Sequence, residues 1–319
     1  MQEAFSDSVT ATSWLEDAHD WIHRRAEDAG LRLAGPIDQR RVRPWSTQLV
    51  APTDRGPVWF KANCPPMRFE AALHRRLAAL SPADVPPPLA VDEDRGWILT
   101  LDRGVTLGDD HPPTVEDWTG VVGRVAGLQR LVVDDGEALL ATGLPDCSPS
   151  TVADRFEQMV ERLSDLADDH PAHLTASEHR ALVDRAPQVK DAADTLAASI
   201  LPVTLQHGDV HPWNTFLDGR LLDFGDAQWA HAVEVLVVPY GWVVSNSDLP
   251  WERILQAWGD VWSDVVGPRE LRSLFEAGQY THAVNRSATW WGCLLHATAA
   301  EWQEWGEAPR HHLMRILEA

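Results

Sequence analysis

The sequence predicts an α+β chain in two lobes, a small β-rich N-terminal lobe (residues 1–101) and a larger, mostly helical C-terminal lobe (102–319). Three observations predict it. Strand-like segments bounded by turn residues crowd into the first hundred residues, with one further patch just after residue 200. Beyond Gly104 the apolar residues mostly recur with helical spacing. The charge divides at the same place: up to Leu107 there are 13 Lys+Arg against 15 Asp+Glu, and from Gly108 onward 14 against 33, so the net charge of -21 splits as -2 and -19. With 319 residues, 44% apolar and 24% charged, the composition is that of a globular chain long enough for two domains.

The elements follow in order. Ser13-x-x-Glu16 has the form of a capping box, and a periodic helix runs from it to a stop at Gly30. Strands are expected over 41–50 and 57–62, about the turn Pro52-Thr53-Asp54-Arg55-Gly56. Pro65-Pro66 opens a helix over 67–80, apolar at Phe69, Leu73, Leu77 and Leu80. Short strands at 89–91 and 97–101 flank the turn Asp92-Glu93-Asp94-Arg95-Gly96. Helices are expected over 114–133, 152–167 and 177–200, then strands at 203–206, 214–217 and 221–224 with a turn at Asp218-Gly219. Helices return from 250 to the end, where Trp251, Trp258 and Trp262 share one face.

Composition argues against several function classes. No apolar run approaches the roughly 18 uncharged residues of a membrane span, and the opening residues have neither a basic nor an apolar stretch of the signal-peptide kind. Cys64, Cys147 and Cys293 are widely separated and odd in number, which argues against a disulfide framework or a Cys-rich zinc site and fits a reducing, cytoplasmic setting. The acidic second lobe repels nucleic-acid phosphates and favours cationic small molecules. There is no Gly-x-Ser-x-Gly for a serine hydrolase and no Gly-x-Gly-x-x-Gly for a dinucleotide fold. Nothing in the sequence speaks to oligomeric state.

Two features carry chemistry. Of the 27 basic residues only Lys61 and Lys190 are lysines, and Lys61 stands in the strand Val58-Trp59-Phe60-Lys61-Ala62. The second is the patch Gln206-His207-Gly208-Asp209-Val210-His211-Pro212-Trp213-Asn214, followed by Leu221-Leu222-Asp223-Phe224-Gly225-Asp226-Ala227. Pairing across a hairpin brings Asn214 and Asp223 together, two oxygen ligands of the kind a hard divalent cation takes. Asp209 lies beside them, able to accept a proton from a hydroxyl. A hydrolase-type cluster of His207, His211 and Asp209 lacks further ligands at sensible spacing.

The pattern His-Gly-Asp-x-x-x-x-Asn followed by Asp-Phe-Gly-Asp resembles the protein-kinase-like superfamily, and Gly208 points to its aminoglycoside phosphotransferase and choline kinase branch. The resemblance covers most of the chain. It implies a bilobal kinase-like fold and an enzyme that uses ATP and Mg2+ to phosphorylate a hydroxyl of a small molecule. It implies Asp209 as the catalytic base and Asn214 and Asp223 as Mg2+ ligands. Lys61 would hold the nucleotide phosphates, paired with Glu70, and the hinge around Leu99 and Leu101 would meet adenine. The phosphate-covering loop falls near Arg43–Gln48 without a glycine, so Ser46 and Thr47 hydroxyls are expected to substitute. Acidic surroundings with Asp226 nearest the site, and Trp290 or Trp291 as an aromatic wall, favour an amino sugar, aminoglycoside or amino alcohol as acceptor. A neutral sugar or other metabolite is the alternative, and a protein kinase or a silent nucleotide-binding module stands further off. His211 has no assigned role.

Overall fold

The computed structural model describes residues 3–318, which divide into two compact units. One runs up to Gly104 and takes in Gly292–Trp305; the other comprises Val105–Trp291 and the residues from Gly306 on.

The first unit opens with two helices, α1 (Phe5–Thr10) and α2 (Thr12–Asp28), and continues into an antiparallel sheet of β1 (Asp38–Val42), β2 (Ser46–Ala51), β3 (Val58–Asn63), β4 (Ala90–Asp92) and β5 (Trp97–Leu101). The strand order is β1-β2-β3-β5-β4, and α3 (Phe69–Leu80) connects β3 to β4. The single strand expected over 41–50 is instead a hairpin turning at Arg43-Pro44-Trp45, where Arg43 N–H donates to the Ser46 carbonyl at 2.9 Å. Proline at the second turn position presets the φ such a turn needs. The first long helix also starts before Ser13, because α1 leads into it through Ala11 and leaves Ser13 no extended position from which to cap. Val58, Phe60 and Ala62 alternate inward on β3, where Phe60 meets Trp21 of α2 and Trp97 of β5 edge to face at 5.7 and 5.2 Å. The two-residue period therefore directs Lys61 to the opposite face of the sheet.

After β5 the helices are α4 (Leu107–Asp110), α5 (Val115–Leu131), α6 (Gly136–Leu140), α7 (Val152–Ser164), α8 (Ala176–Ala197), α9 (Val237–Asn246), α10 (Trp251–Val261), α11 (Pro268–Leu294), α12 (Ala299–Trp305) and α13 (Ala308–Met314). Capping boxes start α5 at Thr114 and Asp117 and α8 at Thr175 and Glu178. Among them the second unit holds one antiparallel pair, β6 (Val203–Gln206) with β7 (Gln228–His231). The strands expected at 214–217 and 221–224 reduce to a 3-10 turn over Pro212–Asn214 and an isolated bridge between Thr215 and Leu221. Buried Gln129 of α5 anchors the β pair: its Nε2 donates to the carbonyls of Leu205 and Ala232 at 3.0 Å, and its Oε1 accepts from Trp258 of α10 at 3.0 Å. Fully satisfied buried amides of this kind fix one arrangement of a core, and here the core carries the loop that follows β6.

Candidate active site

The loop after β6 is shaped by Gly208. Its φ is +85°, and a Cβ there would fall 2.6 Å from the Asp226 carbonyl carbon and closer still to its oxygen. Only glycine fits a left-handed residue with backbone pressed against it. Gly208 N–H donates to Gln206 Oε1 at 2.6 Å, which closes the turn and sets up Asp209.

Asp209 is held through one oxygen. Its Oδ2 lies 3.3 Å from His211 Nε2 and 3.2 Å from Asn214 Nδ2, and the same Asn214 nitrogen donates to the Asp209 carbonyl at 2.9 Å. Among the described residues, Asp209 Oδ1 has the guanidinium of Arg286 at 3.9 Å and no hydrogen-bond donor. Burial works to raise the Asp209 carboxyl, but the His211 hydrogen bond and the Arg286 charge overcome it and hold the group below its ordinary range. The role of His211 is thus visible: its Nε2–H steadies the carboxylate, and its Nδ1 is buried with no hydrogen-bond partner among the described residues, which places the proton on Nε2.

Asp223 is the one non-glycine residue with positive φ among those described, at 63°. Such a conformation costs of order 1 kcal/mol and persists only where its surroundings dictate it. They do so at Leu222, whose N–H donates to the Asn214 carbonyl at 3.1 Å and whose carbonyl accepts from His207 Nε2 at 3.1 Å. His207 is buried against Phe224, and burial lowers it to about 4, so it is a neutral strut between the two halves of the motif. The donor set suits a hard cation. Asn214 spends its amide nitrogen on Asp209, which leaves its Oδ1 for another partner, and Asp223 adds a carboxylate whose backbone is fixed by the hydrogen bonds at Leu222. Among the described residues no three His, Cys, Asp or Glu side chains form a metal cage, so a cation on Asn214 and Asp223 would fill its shell with phosphate and water oxygens.

In the first unit Lys61 Nζ lies 2.6 Å from Glu70 Oε2, with the side chains 16% and 2% exposed, and Asn63 Nδ2 donates to the same oxygen at 2.6 Å. Four other expectations need correcting. Ser46 and Thr47 are buried in β2, not exposed in a loop, and Thr47 Oγ1 donates to the Arg41 carbonyl and accepts from Gln39, both at 2.8 Å. Their hydroxyls serve the hairpin and are not presented to phosphate. Leu99 lies mid-strand in β5, its side chain in the core and its carbonyl accepting from Leu89 N–H at 2.7 Å, so it has nothing to offer adenine. Leu101 ends the strand exposed, still paired with Val58.

Asp226 lies beside Asp209, but Arg286 of α11, only 10% exposed, pairs with it at 3.0 Å. Asp226 is therefore not an open negative site for an amine. Burial pushes its carboxyl upward, opposed by Arg286. Trp290 packs parallel to His312 at 6.3 Å, with Arg286 near its ring at 5.7 Å; Trp291 faces Arg162 at 5.6 Å. Glu301 caps α12 through Thr298 N–H at 2.8 Å. Sequence reasoning missed Arg286 altogether, since it stands in no motif and reaches the site only through the packing of α11.

The family model of the phosphotransferase enzyme family matches residues 15–274. No curated protein matches the chain in sequence. Among solved structures it is similar to a choline/ethanolamine kinase family protein from Mesorhizobium loti, at 16% identity over 94% of this chain and 95% of that one with a TM-score of 0.60. It is similar also to a macrolide 2'-phosphotransferase type I, at 14% identity over 93% and 97% with a TM-score of 0.57. A third is spectinomycin phosphotransferase in complex with ADP and spectinomycin, at 11% identity over 94% and 98% with a TM-score of 0.54. These likenesses are likenesses of fold, the bilobal α+β fold of small-molecule kinases.

Proposed function

We propose, from the premise that this chain belongs to the phosphotransferase enzyme family, that it transfers the terminal phosphoryl group of ATP to a hydroxyl of a small molecule. The observation that carries the reading is the asymmetric hold on Asp209. His211 and Asn214 occupy Oδ2, and Oδ1 is left to receive the hydroxyl proton. As the proton passes to Asp209, the acceptor oxygen bonds to the γ-phosphorus and the bond to the β,γ-bridging oxygen breaks, with ADP as leaving group. Asn214 and Asp223 would hold a Mg2+ ion, which supplies neutralisation of the phosphate charge. Lys61, oriented by Glu70, would hold the nucleotide phosphates. An amine-bearing acceptor loses its main support once Asp226 is paired with Arg286, so the acceptor is put forward simply as a small alcohol.

The test separates the two aspartates. With γ-labelled ATP and a pool of small alcohols, Asp209→Asn should lower label transfer about 10²–10⁴-fold, the range of a lost general base, with Mg-ATP affinity little changed. Asp223→Asn should lose Mg-dependent ATP binding itself, measured by calorimetry. Equal loss of ATP affinity in both variants, or full turnover by Asp209→Asn, would overturn the assignment.

A further inference from the structure

The second unit contains a cavity of about 240 Å3 between α9, α11 and the C-terminal turn. Its lining includes Tyr240, Gln279, His282, His312, Arg315 and, at the exposed outer side, Glu318. We infer that this cavity receives the phosphoryl acceptor and that the acceptor carries an anionic group, a carboxylate or phosphate monoester, bound by Arg315. The inference rests on the phosphotransferase reading above and specifies its acceptor class.

Arg315 supplies the first argument. It is half-buried, its guanidinium lying over α9 at Gly241, and its side chain makes no hydrogen bond or ion pair among the described residues. Glu318 lines the same cavity but is not within ion-pair distance. A guanidinium partly shielded from water and without a carboxylate partner leaves donors that an anionic ligand can satisfy with charged hydrogen bonds. The two histidines add hydrogen-bonding capacity without adding charge. Burial holds His282 at about 3, helped by Arg286 and Arg315, and His312 is lowered in the same way. A neutral imidazole can donate one hydrogen bond and accept another, so the cavity has one cationic anchor and a polar wall.

The second argument is its place relative to Asp209. Gln279 and His282 line the cavity on the face of α11 that carries Arg286 one turn later, about 6 Å along the axis at 1.5 Å per residue. Arg286 pairs with Asp226 and stands 3.9 Å from Asp209 Oδ1. His282 Nδ1 also lies 3.4 Å from Gln206 Nε2, the side chain whose Oε1 accepts from Gly208 N–H. An alcohol anchored by its anion at Arg315 would reach towards the catalytic loop on the side of the cavity where His282 meets Gln206. The same cavity disfavours a cationic acceptor, which would meet the Arg315 guanidinium in its lining.

The experiment uses the full chain and four probes that differ in charge: glycerol 3-phosphate, glycerate, glycerol and choline. Binding of each is measured by calorimetry with and without Mg-ADP, and transfer is measured with Mg-ATP. At least one anionic alcohol should bind and accept phosphate better than glycerol or choline. Arg315→Gln should weaken that binding about ten-fold or more, the size of a lost charged hydrogen bond, and Arg315→Lys should restore part of it. Phosphate and carboxylate arms tell which anion the cavity prefers. Preference for choline or glycerol, unchanged binding in Arg315→Gln, or no binding of either anion at millimolar concentration would overturn the inference. Mg-ATP binding in the same samples keeps the two readings apart: loss of nucleotide binding strikes the phosphotransferase reading, whereas intact nucleotide binding without anion binding strikes only the acceptor class.

Discussion

Glu234 offers a quantitative test of the core beneath the site. It lies in the 3-10 turn directly after β7, fully buried, and its Oε2 accepts from Asn285 Nδ2 at 3.0 Å. Asn285 Oδ1 in turn accepts from Arg155 at 2.7 Å. Burial pushes the Glu234 carboxyl from 4.5 up to about 7, against the hydrogen bonds from Asn285 and Thr281. In the unfolded chain the proton leaves near the ordinary value, while the folded chain keeps it until about pH 7. Between those limits the unfolded state binds fewer protons, so stability falls as pH rises, by roughly 3 kcal/mol across the window, and is flat above it. Glu234→Gln keeps an acceptor for Asn285 and cannot ionise. The variant should match the parent near pH 4.5 and exceed it by an amount that grows to a plateau above pH 7. Urea unfolding followed by tryptophan fluorescence at several pH values measures the difference, from which the buried histidines common to both proteins cancel. Parallel stability profiles for parent and variant would refute the reasoning.

Two further outcomes follow from the site geometry. Gly208→Ala must leave a left-handed backbone or displace Asp226, a cost of about 1–3 kcal/mol each way; the variant should still fold but lose most phosphoryl transfer, and normal turnover would show that the Gly208 turn is not needed in the active state. Glu70→Gln removes the charge facing Lys61 in a buried pair and should cost about 3–5 kcal/mol with a raised KM for ATP; an unchanged melting temperature together with an unchanged KM would separate Lys61 from phosphate binding.

Local patterns were the legible part of this chain. Two-residue alternation marked β3, the turn Asp92–Gly96 between two short apolar runs marked β4 and β5, and helical spacing with Pro65-Pro66 marked α3. What escaped was set by contacts distant in sequence. β7 is buried at all four positions, so Gln228-Trp229-Ala230-His231 shows no alternation to read. The hairpin at Arg43–Trp45 interrupts a run of strand formers, and only Pro44 marks it. Residues 292–305 join the first unit although they follow nearly two hundred residues of the second, and no local signal could announce that. At the site the motif located Asp209, Asn214 and Asp223, but the partner that alters their electrostatics, Arg286, lies sixty residues beyond Asp226 on α11.

Charge shows most clearly why a count over a sequence differs from a field at a site. A net of -21 argues for a cationic acceptor only if those carboxylates act where the acceptor binds. Asp248 is exposed, and at physiological ionic strength its influence decays over a Debye length of about 8 Å. Glu301 is committed to its helix cap. Asp226, whose backbone is pressed against Gly208, is matched by an arginine that is itself 10% exposed. Poorly solvated groups interact through a lower effective dielectric than surface ones, so the Arg286–Asp226 pair compensates itself, and the half-buried Arg315 guanidinium acts on the cavity it lines more strongly than distant surface acids do. The acidic exterior then bears on solubility, and the anionic acceptor inferred above rests on Arg315 in the cavity it lines, not on the charge summed over the chain.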